Sequence, residues 1–283
     1  MQAGLGIVAP VNPADRPVLQ DGDLETREEY LYHLLDRSRA GDGAAAEDLR
    51  ALVRDYPHYD RALYTRAMNQ VGVFGDATLA EPLLAALADT VYDCQAWAAM
   101  GCTALGVRAA VPVLVTLLDH PQWMMREQAV IALGELGDES VVAALAPLLG
   151  DPADWMRERT AEALSTIGGP AALAALWGEL VDRRFPRIGY IASALALFAP
   201  GVIPRLVEVA GGDDPDQRYW AAVALGSTGD ERAVATLERL LADDRGRTVF
   251  DGEVRVAAKK GLRTLRRIQK AIAAREGSRS APG

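Results

Sequence analysis

The 283-residue sequence is poor in the side chains that most often build catalytic and metal centres, with two cysteines and three histidines. Aromatic residues make up only 6% of the chain, although half of it is hydrophobic. The apolar residues are therefore mostly alanine, leucine and valine, which favours closely packed helices over a β-rich fold. Cys94 and Cys102 are eight residues apart in one predicted helix, about 12 Å, which is too far for a disulfide. We expect reduced, inert thiols in a cytoplasmic protein.

Recognisable catalytic motifs are also missing. His33, His58 and His120 are isolated in the sequence, and none is followed by glutamate. There is no glycine-rich phosphate loop, no Gly-x-Ser-x-Gly elbow and no Cys-x-x-Cys pair. The sequence therefore predicts no catalytic residue, no cofactor and no metal site.

Long hydrophobic runs are absent too, and we expect no signal peptide. The longest uncharged run lies between Arg187 and Arg205, and it is interrupted by Pro200, Gly201 and Pro204. That run is too short to span a bilayer comfortably. The first residues lack a basic region followed by an apolar core. We expect no transmembrane segment.

Lysine is scarce, and charge is unevenly distributed. The chain has a net charge of −9, and its three lysines all lie after residue 252. Residues 253–283 carry nine basic and two acidic residues, a net charge of +7, which leaves −16 for the remainder. The net charge therefore argues against a protein whose whole surface binds nucleic acid, and against nucleic acid as a partner of the acidic body.

What the sequence does contain is a repeat. Arg126, Arg157 and Arg218 are each followed by Ala-Leu six residues later and by glycine eleven residues later. The closing glycines are Gly75, Gly106, Gly137, Gly168 and Gly229, the first four spaced at intervals of 31 residues. Each ends an amphipathic stretch, so we expect left-handed helix caps there. A second apolar stretch follows, and Asp-Pro pairs such as Asp151-Pro152 and Asp214-Pro215 open the next unit.

These units, from about residue 57 to 266, resemble HEAT repeats, specifically the short HEAT-like repeats named after phycobilisome lyases. The resemblance implies an all-α fold, a right-handed α-α superhelix or α-solenoid of about seven helical hairpins. It also implies that the repeated arginines are structural and pair with acidic turns. The expected organisation is a flexible arm (1–23), degenerate cap helices (24–56), HEAT-like repeats (57–251), a basic capping helix (252–276) and a disordered tail (277–283).

Several surfaces are candidates for binding, each with a structural alternative. Four tryptophans lie near the start of first helices and could form a partner-binding strip or fill space between helices: Trp97, Trp123, Trp155 and Trp220. Asp154 and Asp213 belong to a series of turn acids that could attract a basic partner or cap helices. The uncharged stretch 188–198 could be a buried helix or a docking patch.

The last predicted helix carries a basic patch. Its members are Lys259, Lys260, Arg263, Arg266, Arg267 and Lys270. The patch could meet nucleic acid, an anionic lipid surface, or the acidic edge of a second copy in a homo-oligomer; it could also be a solvated end-cap face.

HEAT-like repeats occur in scaffolds, adaptors and a few enzymes, so the resemblance is specific for fold and not for function. We expect a non-enzymatic scaffold or adaptor that binds another protein. One alternative is a lyase-type accessory protein that handles a tetrapyrrole or another cofactor for a partner. Another is a nucleic-acid or membrane adaptor acting through the basic C-terminal helix. Deoxyhypusine hydroxylases share the architecture but need repeated His-Glu pairs, which this sequence lacks. The acidic body argues against the basic groove of HEAT-like DNA glycosylases.

Overall fold

The computed structural model describes residues 23–91, 93–182 and 185–279, with side chains to residue 275. The chain divides into two compact units, Met1–Gly137 and Asp138–Gly283, which we describe separately. Within the described residues, the only β pairing is an isolated bridge between Arg247 and Glu253. The predicted all-α class is therefore confirmed.

The first unit is a series of short helices. They are α1 (Leu24–Arg39), α2 (Gly43–Arg54), α3 (Arg61–Asn69), α4 (Val71–Phe74), α5 (Ala80–Ala88), α6 (Gln95–Leu105), α7 (Val111–Leu117) and α8 (Trp123–Leu136). Helix α6 packs against α3, α5 and α8, so it lies at the centre of the unit. Its buried face is built from small residues such as Ala98, Ala99 and Gly101, which let neighbouring helices approach closely.

The second unit continues with α9 (Val142–Leu145), α10 (Asp154–Ile167), α11 (Gly169–Asp182), α12 (Gly189–Ala196), α13 (Ile203–Val209), α14 (Pro215–Thr228), α15 (Val234–Asp243) and α16 (Val254–Arg279). Helices α10, α12, α14 and α16 pack in that order, each on the next, while α11, α13 and α15 pack against them as the second helices of hairpins. The unit therefore has two layers. No helix among the described residues is long and apolar enough to cross a membrane.

The repeated arginines make one recurring contact. In each case Nη1 donates to the backbone carbonyls six and five residues earlier. The distances are 2.9 and 3.2 Å from Arg126 to His120 and Pro121, 2.7 and 3.1 Å from Arg157 to Asp151 and Pro152, and 3.0 and 2.8 Å from Arg218 to Gly212 and Asp213. These carbonyl groups of the preceding turn have no hydrogen-bond donor within a helix. The arginine side chain supplies the donor and thereby stabilises the turn.

The repeat glycines follow two different geometries. Gly106 and Gly229 are left-handed caps with φ of 67° and 70°, and Gly168 has a φ of 71°. The expected left-handed cap is wrong for Gly75 and Gly137, whose φ angles are −72° and −76°. At Gly75 the reason for glycine is space, because a Cβ would lie 2.6 Å from the Val71 carbonyl oxygen and 3.0 Å from Leu105 Cδ2.

The Asp-Pro turns also differ from expectation. Asp214 caps α14 and Pro215 is its first residue, as predicted. Asp151 instead accepts the Ala153 N–H at 2.7 Å, and α10 begins only at Asp154, so Pro152 lies before the helix. Further caps come from the aspartate after a repeat glycine, since Asp76, Asp138 and Asp230 accept backbone N–H groups of short 3₁₀ turns. The Gly-Asp pairs in the sequence were the signal for these caps.

The two chain ends fall partly outside the described residues. Only Asp23 of the expected arm is described, and its side chain caps α1 through the Thr26 N–H. Helix α16 begins at Val254 and continues to Arg279. The expected disordered tail is therefore wrong for residues 277–279, because the helix extends through them, and residues 280–283 lie outside the described range.

Candidate protein-binding groove

The loop between α15 and α16 presents two exposed apolar side chains. Val249 is 76% exposed and Phe250 is 69% exposed. The loop is held by Thr248, whose Oγ1 accepts the N–H groups of Asp251 and Gly252 at 2.7 Å each and whose own N–H donates to the Gly252 carbonyl at 2.8 Å. Thr248 is buried, and its hydrogen bonds fix the loop that carries Val249 and Phe250.

Phe250 forms one wall of a cleft of about 670 Å³ in the second unit. Its lining residues are Asp154, Trp155, Arg157, Glu158, Pro186, Arg187, Tyr190 and Phe250. Trp155 and Glu158 come from successive turns at the start of α10, and Tyr190 comes from the first turn of α12. Three aromatic side chains from three segments of the chain therefore meet in this cleft.

Arg157 connects several of the segments that surround the first cleft. Its Nε donates to the Tyr190 hydroxyl at 3.2 Å, and its guanidinium lies 4.0 Å from the centre of the Phe185 ring. The side chain is buried and also bonds the turn before α10. The structural arginine of the repeat thus positions an aromatic residue of the neighbouring helix.

A second cleft of about 660 Å³ adjoins the first and shares Glu158 and Tyr190 with it. Leu197, at the end of α12, lines this second cleft and is 70% exposed. The rest of the uncharged stretch is largely buried: Ile191, Ala192 and Leu195 belong to the core. The stretch 188–198 is therefore mostly buried, as the first interpretation predicted, and it includes one exposed apolar residue, Leu197.

We call the two clefts together the aromatic groove, defined by Trp155, Glu158, Tyr190, Leu197 and Phe250. Asp154 and Glu158 are exposed at its rim and supply negative charge. Arg187 also lines the first cleft and is exposed. Aromatic side chains bordered by charged residues are common in protein-binding sites.

The four candidate tryptophans are divided between the two units and differ in exposure. Trp97 is half-buried in α6 and Trp123 is 57% exposed at the start of α8, both in the first unit. Trp155 is half-buried in the aromatic groove. Trp220 is only 7% exposed, so its assignment as a binding residue is wrong. It packs edge-on against Tyr219 and lies next to Gly189.

The remaining candidates lie at other positions on the second unit. Asp213 is exposed in the turn before α14, and its backbone carbonyl accepts the Arg218 hydrogen bond. Asp214 and Asp216, its neighbours, line a smaller cleft with Val249 and Phe250. The candidate basic residues of α16, from Lys259 to Lys270, are all exposed.

Part of the groove could be anticipated from the sequence. Trp155 and Asp154 were candidates there, and Tyr190 and Leu197 lie in the stretch considered as a docking patch, whereas Phe250 was not predicted. A sequence signal existed in the loop, where the apolar pair Val249-Phe250 directly precedes Asp251-Gly252, a typical turn pair. An apolar pair beside a turn is a reasonable sign of exposed hydrophobic surface.

The groove holds no catalytic or metal-binding arrangement that we can identify in the described side chains. Nowhere in that part of the chain do three or more histidine, cysteine, aspartate or glutamate side chains form a possible metal site. Both cysteines are free and buried. Burial and the nearby Asp89 raise the pKa of the Cys94 thiol to about 12, and burial raises the pKa of Cys102 to about 12. These thiols are therefore poor nucleophiles.

Stacked helical hairpins, a repeated arginine contact and a surface groove define a helical-repeat protein. Comparison with known families identifies HEAT repeats at residues 80–165 and 186–250, more than half of the chain. The protein belongs to the HEAT-repeat family, and the α-solenoid class predicted from the Arg, Ala-Leu and Gly pattern is confirmed. A search of curated proteins found no significant match.

Solved structures resemble the chain at low similarity. The complex of CpcE and CpcF of phycocyanin lyase from Nostoc sp. PCC7120 matches at 26% identity with a TM-score of 0.46, covering 77% of this chain and 86% of that one. Human deoxyhypusine hydroxylase matches at 21% identity with a TM-score of 0.36, covering 90% and 95%. An engineered protein matches at 20% identity with a TM-score of 0.49, covering 89% and 77%.

Proposed function

We propose that this HEAT-repeat protein is a non-enzymatic scaffold that binds another protein through the aromatic groove of its second unit. The observation that carries the proposal is the exposure of Phe250 and Leu197 at clefts that are also lined by Trp155 and Tyr190. Large apolar side chains clustered on an otherwise polar surface mark interaction sites. The two unbridged thiols fit a reducing compartment, so we place this scaffold in the cytoplasm.

The groove is suited to binding because its walls are fixed before a partner arrives. Arg157 anchors Tyr190 through a hydrogen bond, and Thr248 anchors the loop of Phe250 through three backbone contacts. A preformed site loses little conformational entropy on association, so more of the contact energy contributes to affinity. Aromatic side chains from separate segments are also the residue types that most often dominate binding energy.

The direct test compares two groove variants with a matched control. Phe250→Ser and Leu197→Ser each remove an exposed apolar side chain from the groove. Val256→Ser removes one that is 41% exposed on α16 and lies outside both clefts. Since all three positions are exposed, unfolding free energies should change by no more than about 0.5 kcal/mol.

Proteins captured from cell extract by the wild-type chain would be identified by mass spectrometry, purified, and titrated against each variant. Loss of a hot-spot aromatic should weaken binding by at least about tenfold for Phe250→Ser, with Val256→Ser close to wild type. Equal affinity of wild type and both groove variants for every confirmed partner would refute the proposal.

The lyase-type alternative predicts a different observation. A protein that handles a linear tetrapyrrole would change the visible absorbance of that pigment on mixing. The scaffold proposal predicts an unchanged spectrum when a linear tetrapyrrole is titrated with the purified chain. A saturable spectral change lost in Tyr190→Ala would assign the groove to a pigment instead.

A further inference from the structure

The exposed face of α16 is a cationic surface that the proposed groove does not use. Its members are Arg255, Lys259, Lys260, Arg263, Arg266, Arg267 and Lys270, all exposed. At 100° per residue they fall within an arc of about 140°, and they extend about 22 Å along the helix. The opposite face, including Val254, Ala258 and Leu265, is buried against the unit. Seven cations therefore share one outward stripe, which we call the cationic face.

Few acidic side chains neutralise the cationic face. Arg255 pairs with Glu253 at 2.6 Å, and Arg266 approaches Glu238 at 3.9 Å. The other five cations make no ion pair with any residue that the structure describes. Their charges are available to an anionic partner.

The arrangement also opposes helix formation. Arg263 lies three or four positions from Lys259, Lys260, Arg266 and Arg267. Like charges at these spacings each destabilise a helix by a few tenths of a kcal/mol. A surface helix selected for stability alone would alternate charges of opposite sign. The uniform sign favours a binding role.

The chemistry of the face selects among anionic partners. Within described α16, Val256 is the only side chain on the cationic face that is apolar and larger than alanine. Ile272 is exposed but lies on the side of the buried stripe. Membrane-surface helices carry large apolar residues that insert between lipids. Protein interfaces need apolar or aromatic anchors at their centre. A phosphate backbone needs only cations.

We propose that the cationic face of α16 binds the phosphate backbone of a nucleic acid strand without sequence preference. This site is separate from the aromatic groove, and its binding does not depend on a protein partner. The acidic remainder of the chain restricts the contact to α16, since its charge of −16 repels a polyanion. The protein would then join a protein partner and a nucleic acid through two different surfaces.

The test uses the full chain and a fluorescein-labelled oligothymidylate of about 20 nucleotides, followed by anisotropy. Non-specific binding with a dissociation constant in the micromolar range is expected at about 50 mM salt. If four phosphates are contacted, tripling the salt should weaken binding about 20-fold.

Charge reversal tests the location of the site. Arg263→Glu with Arg267→Glu should weaken binding at least about tenfold, because two contacts become repulsive. The matched control, Arg108→Glu with Arg245→Glu, changes net charge equally at exposed positions outside α16. It should retain most of the affinity. Circular dichroism would show that both double variants are folded, as expected for exposed positions.

Three results would overturn the proposal. One is the absence of oligonucleotide binding at about 50 mM salt, where such contacts are strong. Another is an equal loss of affinity in the control pair. The third is binding to phosphatidylserine vesicles that is lost in the Arg263→Glu, Arg267→Glu variant, with no binding of the oligonucleotide. That result would assign the cationic face to a membrane surface.

Discussion

Arg218 and Asp244 join the turns on either side of one hairpin of the second unit. Arg218 Nε donates to Asp244 Oδ2 at 2.7 Å and Nη2 donates to Oδ1 at 3.2 Å. The same guanidinium bonds the turn before α14 through Nη1. The pair is mostly buried, with 16% and 8% of the two side chains exposed. One side chain therefore connects its own repeat to the next.

A double-mutant cycle should measure this connection. Arg218→Ala and Asp244→Ala should each lower the unfolding free energy of the second unit by about 2 to 3 kcal/mol, because each leaves a charged, hydrogen-bonded partner unpaired. The coupling energy between them should be about 1 to 2 kcal/mol. Urea unfolding with peptide-resolved hydrogen exchange would separate the two units.

The control is the Arg232–Asp230 pair, in which Arg232 is 54% exposed. Its coupling should stay below about 1 kcal/mol, as is usual for surface ion pairs. Equal coupling in the two cycles would show that the Arg218–Asp244 contact is not a specific support of the repeat.

The same pair predicts a loss of stability in acid. Burial of Asp244 favours its neutral form, but the hydrogen bonds from Arg218 and the Gly246 N–H outweigh burial, so the Asp244 pKa is lowered from 3.8. A lowered carboxyl pKa contributes stability that is present above the unfolded pKa and is lost as the pH falls through the folded pKa. The unfolding free energy should decrease as the pH drops below about 4. The share of this decrease that comes from Asp244 should be absent in Asp244→Asn.

That comparison would be made by urea unfolding between about pH 6 and pH 3. Asp244→Asn should be less stable than wild type at the high-pH end of this range. The difference in unfolding free energy between the two proteins should become smaller as the pH falls. A constant difference over the whole range would contradict the lowered pKa of Asp244.

Helices α14 and α16 touch through two glycines. A Cβ on Gly226 would lie 2.8 Å from the carbonyl carbon and oxygen of Gly261, and a Cβ on Gly261 would lie 2.9 Å from the Ala222 carbonyl oxygen. Gly226→Ala should therefore push backbone against backbone and cost about 2 to 3 kcal/mol of unfolding free energy.

Gly178 in α11 provides the control, since nothing lies within 4 Å of a Cβ built there. Gly178→Ala should stabilise the protein by about 0.5 to 1 kcal/mol through helix propensity. Thermal unfolding of the two variants should move in opposite directions. A loss of stability in both would mean that the Gly226–Gly261 approach is not special.

The thiols should be unreactive in the folded protein. Burial keeps the pKa values of Cys94 and Cys102 at about 12, so almost no thiolate forms near neutral pH. Ellman's reagent should label both residues after denaturation and neither within minutes in native buffer. Rapid labelling of a native thiol would show that the first unit opens readily around α6.

The repeat could be predicted from the sequence because it depends on local contacts. Arg126, Arg157 and Arg218 bond carbonyls only five and six residues away, so their spacing repeats along the chain. The glycine pattern mixed two causes, and Gly75 illustrates the second: space for a Cβ is limited by Val71, four residues earlier, and also by Leu105, thirty residues later in the sequence.

The aromatic groove depends on contacts that the repeat pattern in the sequence does not predict. Trp220 is buried edge-on against Tyr219, and its ring lies next to Gly189 of the preceding first helix. Phe250 belongs to the loop between α15 and α16, and it lines the same cleft as Trp155 and Tyr190 only once the helices have packed. Sequence spacing alone could place Trp155 on a helix, but it could not identify the residues that face it.

Hydrogen exchange of the full chain with and without its captured protein partner is the most direct test of the central claim. The account predicts slower exchange in three segments of the second unit, residues 154–158, 187–197 and 247–252, because a partner in the aromatic groove would cover them. Residues 61–69 in the first unit should be unchanged. Protection confined to the first unit, with those three segments unaffected, would contradict the account.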